Sequence, residues 1–231
     1  MTPPKSYQIG LLIYPGMTQL DLTAPHQVFA LLPDTEVHLL WKTLEPVTTG
    51  EGMKILPTTS FQDCPPLDVL CVPGGAGQAE TMQDLEVLEF LRECSKTTKY
   101  ITSVCTGSLI LAAAGLLQGY RAACHWAFRE QLSLFGIEVA TERVAIDRDR
   151  ITGGGITAGL DFALVVTKEL FGEEMAQTIQ LLLEYNPAPP FDTGSPERAG
   201  ESLIASVQAL AGEIIEASTA ASQKMAASSK E

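Results

Sequence analysis

The chain has 231 residues, of which 45% are hydrophobic and 19% are charged, and it carries 15 Lys and Arg against 28 Asp and Glu, for a formal net charge of −13. The hydrophobic share excludes global disorder, which requires low hydrophobicity together with high net charge. Nucleic-acid binding is disfavoured because phosphate affinity rests on clustered Lys and Arg, and this sequence has no basic cluster.

Membrane and metal binding are also disfavoured. No apolar run approaches the ~20 residues that span a bilayer, and residues 1–7 lack the basic start and apolar stretch of a signal peptide. Five cysteines without a C-x-x-C pair predict reduced thiols and a cytoplasmic location. The three histidines have no i,i+4 partner and no cysteines have zinc-finger spacing, so no metal is expected.

Strands and helices alternate along the predicted elements. The pattern predicts strands near residues 8–14, 36–43, 66–72, 100–104, 121–126, 138–144 and 150–152. It predicts helices near residues 21–32, 78–95, 106–117, 128–135, 158–171 and 173–184. Such alternation is typical of βαβ units, so we expect a mostly parallel sheet covered by helices on both faces.

The C-terminal part differs in composition from the rest of the chain. A Pro-rich linker occupies residues 186–195, and one amphipathic helix is predicted over 200–217 from an apolar stripe. The stripe consists of Leu203, Val207, Leu210, Ile214 and Ile215. We therefore expect one domain over 1–190, followed by a segment, 191–231, that packs on this domain or on a second subunit. Its Ala- and Ser-rich end, from Thr219, is expected to fray.

Cys105 is the sharpest chemical feature of the sequence. A β-rich run ends at Cys105 and a helix-favouring run starts at Thr106, which is the strand–nucleophile–helix turn of hydrolase elbows with cysteine in place of serine. A helix N-terminus lowers the pKa of a thiol, and free N–H groups there, including that of Thr106, can receive an anion. The alternative is a small buried structural cysteine.

A glycine-rich turn, Pro73-Gly-Gly-Ala-Gly77, directly follows a predicted strand. Such a turn brings backbone N–H groups close to a ligand, so Gly75 and Ala76 are candidates for binding substrate or an oxyanion. A plain strand–helix turn is the other interpretation. The turn at Gly153–Gly155 has the same two interpretations.

Two further polar residues could act with Cys105. Asp21 follows the first strand and is either a helix cap or a carboxyl that transfers protons at the sheet edge of Cys105. His125 is either the base of a Cys–His pair or a structural histidine in an apolar neighbourhood.

Six motifs together resemble the PfpI-type, class I glutamine amidotransferase-like superfamily over residues 7–190. They are Asp21 after the opening strand, Pro73-Gly-Gly75, Ser103-Val-Cys-Thr-Gly107, Ala114-Gly-Leu-Leu-Gln-Gly119, His125-Trp126 and Ile151-Thr-Gly-Gly-Gly-Ile-Thr-Ala-Gly-Leu-Asp161. Within that superfamily the chain resembles most the branch that hydrates isonitriles.

The resemblance implies a flavodoxin-like three-layer sandwich, a homodimer and a cofactor-free lyase that converts isonitriles to N-substituted formamides through a covalent thioimidate. It implies Cys105 as nucleophile, Asp21 as the carboxyl facing its sulfur and Thr106 as an elbow neighbour. Many members carry Glu at the position of Asp21 and His at that of Thr106. The first difference agrees with the isonitrile branch, and the second weakens protease-like and deglycase-like alternatives.

Three alternatives stay open from the sequence. The same fold forms the sensing half of some AraC-type regulators, so a non-catalytic ligand sensor is possible. A redox sensor would use oxidation of the same cysteine. A glyoxalase or deglycase would act on α-oxoaldehydes.

Overall fold

A seven-stranded sheet forms the centre of the computed structural model, which describes residues 6–228. The strands of this part of the chain are β1 (Tyr7–Leu12), β2 (Thr35–Trp41), β3 (Val47–Thr48), β4 (Lys54–Ile55), β5 (Thr59–Ser60), β6 (Val69–Val72), β7 (Tyr100–Val104), β8 (Arg121–Ala122), β9 (Glu138–Val139), β10 (Val144–Asp147) and β11 (Arg150–Gly153). The large sheet has the order β10-β11-β7-β6-β1-β2-β5, and only the β10–β11 pairing is antiparallel. β3 pairs with β4, and β8 with β9, in two small sheets.

Helices cover both faces of this sheet. They are α1 (Gln19–Phe29), α2 (Gln78–Thr81), α3 (Leu85–Ser95), α4 (Gly107–Ala113), α5 (Ala158–Phe171), α6 (Glu173–Leu182), α7 (Pro196–Ala199), α8 (Glu201–Leu210) and α9 (Gly212–Ser228), with a 3₁₀ helix at Arg129–Phe135. α1, α5 and α6 pack together on one face, whereas α2, α3, α4, α9 and the 3₁₀ helix pack together on the other. The predicted three-layer, mostly parallel α/β fold is confirmed.

The central strands are buried on both faces, which explains their near-continuous apolar sequences. All four residues of β6 and the last four of β1 are buried. Parallel register aligns Ile9 of β1 with Val37 on one side and Val69 on the other. Because β1, β6, β7 and β11 run in the same direction, the turns that follow them meet at one edge of the sheet.

Several boundaries differ from the predicted ones. The helix predicted over 78–95 is divided into α2 and α3, because Asp84 caps α3 by accepting the N–H groups of Glu86 and Val87 at Oδ1. The short strands β3, β4 and β5 lie in residues 47–60, where no strand was predicted. Two-residue strands carry too few residues for a periodic pattern.

The C-terminal prediction was wrong in two respects. The apolar stripe of 200–217 belongs to two helices, α8 and α9, which are separated at Ala211. The segment expected to fray from Thr219 is helical to Ser228, and residues 229–231 lie outside the described part of the chain.

A buried hydrogen-bond network attaches α9 to the domain. The Gln78 amide donates to Ser218 Oγ at 2.6 Å, and Ser218 Oγ donates to Gln131 Oε1 at 2.7 Å. Ser222 Oγ donates to the same Gln131 oxygen at 2.9 Å. The small residues that resembled a solvated tail allow this close packing, so α9 packs on its own domain. None of the helices in residues 6–228 combines the length and apolar character that a bilayer crossing requires.

Candidate active site

The polypeptide turns sharply at Cys105, between β7 and α4. Cys105 has φ of +59°, in the left-handed region that residues other than glycine rarely adopt. Its N–H donates to the carbonyls of Gly153 and Gly154, at 3.1 and 2.8 Å. These bonds hold the strained turn, and strain of this kind is concentrated at functional sites. The expected elbow is therefore present, and the Gly153–Gly155 turn supports it.

Asp21 lies in the first turn of α1 with a fully buried side chain. The helix cap position is occupied by Thr18, and the Asp21 carboxyl instead accepts the Gly74 N–H at Oδ2, at 3.0 Å. Its other oxygen, Oδ1, is buried, and the Cys105 thiol lies close enough to interact with the carboxyl. The capping interpretation is thus wrong, and the carboxyl faces the elbow cysteine.

Burial controls the protonation of this pair. Burial raises the pKa of Asp21 from its ordinary 3.8 to about 7, while hydrogen bonds from the Cys105 thiol and the Gly74 N–H oppose the rise. Burial also raises the pKa of Cys105 well above its usual value, and the Asp21 charge adds to the rise. A hydrogen bond from the Thr106 N–H lowers the pKa of Cys105, but its effect is smaller than those of burial and the Asp21 charge. The expected lowering of the thiol pKa by the helix N-terminus is therefore wrong for the free protein, because Cys105 is only 5% exposed.

The glycine-rich turn after β6 packs directly against the elbow. A side chain at Gly74 would place its Cβ 2.4 Å from the Thr106 nitrogen and 2.8 Å from the Cys105 Cβ. Gly75 has φ of +134° and a Cβ there would meet Thr18 at 2.3 Å. Only glycine allows the turn to approach Cys105 this closely.

The turn and the elbow are joined by one hydrogen bond. The Gly75 N–H donates to Thr106 Oγ1 at 3.0 Å, and Thr106 is buried. The Gly75 N–H is therefore engaged by Thr106 in this structure, and its binding of substrate or an oxyanion stays a prediction. Ala76 is exposed at the tip of the turn. The Thr106 side chain thus holds the turn in place, a task that its position in the sequence did not indicate.

Tyr14 was missed by the sequence analysis. It follows β1, is fully buried and donates its hydroxyl to the Pro73 carbonyl at 3.0 Å. Burial raises its pKa, and the charges of Asp21 and Cys105 add to the rise, so its hydroxyl lies near the pair. A tyrosine ending an apolar strand was the available signal, but nothing local distinguishes it from a core residue.

His125 belongs to the neighbouring apolar cluster. Its Nδ1 accepts the Ala127 N–H at 3.2 Å, and its ring packs against those of Trp126 and Phe128. Burial lowers its pKa. Within residues 6–228 no hydrogen bond joins it to Cys105 or Asp21, so the contacts favour the structural interpretation. The histidine lines a cavity of about 340 Å³ that also includes Cys124, Arg129 and Gly154.

Within the described residues, no group of three or more His, Cys, Asp or Glu side chains is placed to hold a metal ion. The groups present at the elbow are one thiol, one carboxyl with a pKa of about 7, the hydroxyls of Tyr14 and Thr106, and the surrounding backbone groups.

The chain is similar in sequence to several known proteins. Residues 7–169 match the sequence profile of the DJ-1/PfpI family. The chain is 54% identical over 197 residues to the isonitrile hydratase of Pseudomonas putida, covering 85% of this chain and 86% of that protein. It is 29% identical to the HTH-type transcriptional regulator GbdR of Pseudomonas aeruginosa, covering 79% of this chain and 53% of the regulator.

A solved structure is also similar to this chain. The crystal structure of a ThiJ/PfpI family protein from Pseudomonas syringae superposes with a TM-score of 0.90 at 43% sequence identity. The superposition covers 96% of this chain and 90% of the other. The similarity therefore includes the C-terminal helices as well as the sheet.

Proposed function

This chain belongs to the DJ-1/PfpI family, and from that membership we propose that it is a hydro-lyase that adds water to isonitriles and releases N-substituted formamides. The observation that carries the proposal is the thiol of Cys105, on a strained elbow, beside the buried carboxyl of Asp21. The 54% identity to an isonitrile hydratase over most of both chains supports the substrate class.

The first half of the reaction adds the S–H group of Cys105 across the isonitrile carbon. With a pKa near 7, Asp21 is partly ionised at neutral pH and can accept the thiol proton. The sulfur then forms a bond to the isonitrile carbon, whose nitrogen keeps a double bond to that carbon. The carbon takes the proton back from Asp21, which leaves a neutral thioimidate on Cys105 and an ionised carboxylate.

The second half hydrolyses the thioimidate. Asp21 accepts a proton from water as the water oxygen bonds to the thioimidate carbon, and Asp21 then gives this proton to the imine nitrogen. The hydroxyl on the tetrahedral carbon loses its proton to Asp21 as the formyl C=O forms and the C–S bond breaks, and Asp21 passes that proton to the Cys105 sulfur. The products are the N-substituted formamide and the free thiol, so one water is consumed for each isonitrile.

Asp21 is suited to both halves of the reaction because its pKa, about 7, lies near neutral pH. The carboxyl can therefore both accept and donate a proton. The Gly74 N–H holds Oδ2, which leaves Oδ1 to exchange protons with the neighbouring Cys105 thiol. Thr106 acts as a positioning residue through Gly75. We assign the backbone groups of Gly75 and Ala76 to substrate binding. For Gly75, the N–H must then give up its hydrogen bond to Thr106 Oγ1 when it binds the substrate.

Turnover of p-nitrophenyl isocyanide, followed in the ultraviolet, tests the proposal. We expect formamide from the wild type and a loss of at least about 10³-fold in Cys105→Ala, as is usual when a covalent nucleophile is removed. Methylglyoxal serves as the second substrate. Unchanged turnover in Cys105→Ala would overturn the mechanism, and turnover of methylglyoxal alone would overturn the substrate class.

We further propose that the chain forms a homodimer, with α8 at the interface. α8 has no buried residue in the single chain, and it exposes Leu203, Val207 and Leu210. A contiguous exposed apolar surface of this kind marks an interaction site. Light scattering should give twice the mass of the chain, whereas a monomer at micromolar concentration would contradict the proposal. The cytoplasmic location stays a prediction from cysteine usage, which cell fractionation would test.

A further inference from the structure

Two cysteines outside the elbow contact each other across two elements. Cys64 follows β5, and Cys94 lies near the end of α3, and both are half-buried. Their thiols lie close enough to interact with each other, and Cys64 Sγ donates to the Pro65 carbonyl at 3.4 Å. The two thiols are therefore neighbours although they are 30 residues apart in the chain.

A stacked aromatic pair holds the same two segments together. The rings of Phe61 and Phe90 lie parallel, with centroids 3.8 Å apart. Phe90 and Cys94 are separated by one helical turn, so they share a face of α3, while Phe61 and Cys64 lie three residues apart in the facing segment. The stacked rings and the two neighbouring thiols are thus adjacent contacts between this segment and α3. Together they keep Cys64 and Cys94 close to each other.

The remaining cysteines of the described chain are less available to an oxidant. Cys71, Cys105 and Cys124 are all buried, and burial raises the pKa of Cys71 and of Cys124 to about 12. The hydrogen bond from Cys94 lowers the pKa of Cys64. Because the thiolate is the reactive form, Cys64 combines exposure with a favoured thiolate, and Cys94 lies beside it to resolve the product.

We propose that Cys64 and Cys94 form a reversible dithiol–disulfide site that hydroperoxides oxidise independently of Cys105. The Cys64 thiolate attacks the peroxide O–O bond and becomes a sulfenic acid, while the peroxide's other oxygen leaves as water or an alcohol. The Cys94 sulfur then attacks Cys64 Sγ, the S–O bond breaks, and water leaves with the Cys94 proton. The two sulfurs lose two electrons to the peroxide, and a dithiol reductant returns them.

The disulfide would connect the segment after β5 covalently to α3. It would close a loop that contains β6 and the glycine-rich turn. Closing this loop lowers the conformational entropy of the unfolded chain and so stabilises the folded state. Because the two cysteines take no part in the proposed hydration, isonitrile turnover should not depend on them.

Exposure of the full-length protein to hydrogen peroxide, followed by alkylation and non-reducing peptide mapping, tests the site. We expect one cross-linked peptide pair containing Cys64 and Cys94, lighter by two hydrogens than the sum of its parts and lost on treatment with dithiothreitol. Cys64→Ala and Cys94→Ala should each abolish it. Cys105→Ala should form it at the wild-type rate and is the matched control.

A second measurement tests the thiol–thiol contact without oxidation. Alkylation of Cys64 by iodoacetamide at pH 7 should slow about fivefold in Cys94→Ala, which removes the donor that favours the thiolate. Cys94→Ser keeps a hydroxyl donor and should recover most of the rate. All these variants except Cys105→Ala should turn over isonitrile within twofold of wild type.

Other results would overturn the proposal. Independent alkylation of Cys64 and Cys94 after peroxide treatment would show that no disulfide forms. Oxidation that begins at Cys105 while both other thiols stay reduced would assign the redox chemistry to the elbow instead. Either result leaves the hydratase proposal untouched, since that depends on Cys105 and Asp21.

Discussion

Cys105 and Cys64 each lie beside one partner group, but those partners shift the thiol pKa in opposite directions. The partner of Cys105 is the Asp21 carboxyl, whose negative charge adds to burial and raises the thiol pKa. The partner of Cys64 is the neutral Cys94 thiol, whose hydrogen bond stabilises the Cys64 thiolate at a half-exposed position.

The two surroundings therefore favour different forms of the thiol, the protonated form at Cys105 and the thiolate at Cys64. Around Cys105 burial and the Asp21 charge favour the protonated thiol, and in the proposed mechanism Asp21 transfers the proton to the isonitrile carbon. Around Cys64 the neighbouring Cys94 thiol favours the thiolate at a half-buried position, and the thiolate is the form that oxidants attack. The first arrangement supports proton-coupled addition, whereas the second supports redox chemistry.

Asp21→Asn removes the charge that distinguishes the two cysteines, and we expect the largest effect from it. Isonitrile turnover should fall by about 10²–10⁴-fold, the usual loss on removing a general acid–base. Because the Asp21 charge raises the pKa of Cys105, the pKa of that thiol should fall in the variant, as a pH series of iodoacetamide labelling would measure. A variant with wild-type turnover would show that the carboxyl is a bystander.

Stability should depend on pH through the same carboxyl. The folded pKa of Asp21, about 7, lies above its ordinary 3.8, so the folded state binds the proton more tightly. The resulting stabilisation is complete below the unfolded pKa and is lost as the pH rises through 7. Between pH 5 and pH 8 this should remove about 2–3 kcal/mol from the free energy of unfolding.

Urea denaturation at pH 5 and at pH 8 measures this decrease in the free energy of unfolding. Asp21→Asn is the control, because the Asn side chain does not titrate. Between pH 5 and pH 8 its free energy of unfolding should fall by about 2–3 kcal/mol less than that of the wild type. Parallel pH profiles of wild type and variant would contradict the raised pKa. Cys64→Ala should keep the wild-type profile, since the redox pair does not contribute to it.

Gly74→Ala tests how closely the glycine-rich turn must approach the elbow. The added Cβ would lie 2.4 Å from the Thr106 nitrogen, so the turn or Cys105 must move. We expect turnover to fall about 10²-fold, which a displacement of about 1 Å at a catalytic group can cause. Gly212→Ala is the matched control, because its Cβ would meet no atom within 4 Å. The rate of Cys64–Cys94 cross-linking should not change in either variant.

Thr106→Val removes the oxygen that accepts the Gly75 N–H and should have the smallest effect. An unsatisfied donor costs about 1–3 kcal/mol when buried, and Gly75 is half-buried, so we expect about a tenfold loss of kcat/KM. Thr106→Ser keeps the hydroxyl and should recover most of the activity. If Thr106→Ser were impaired and Thr106→Val were not, the methyl group and not the hydrogen bond would position the turn.

Local patterns predicted much of the fold and part of the site. The apolar runs of β1 and β6 and the change of pattern at Cys105 are local, so they indicated a parallel sheet with an elbow at its edge. The division of α2 from α3 was not predicted, because it depends on the cap formed by Asp84. The docking of α9 was not predicted either, because Ser218 is buried only once Gln78 and Gln131 surround it.

Strand periodicity and glycine turns are properties of neighbouring residues, so they predicted the α/β architecture, and the resemblance of the ordered motifs to a known family indicated the pair of Cys105 and Asp21. The direction of the thiol pKa values, the contact of Tyr14 with Pro73 and the pairing of Cys64 with Cys94 followed only from the tertiary structure. These depend on burial and on contacts between residues that are distant in the chain. Desolvation and hydrogen bonding act through space, so their balance is set when the elements pack together.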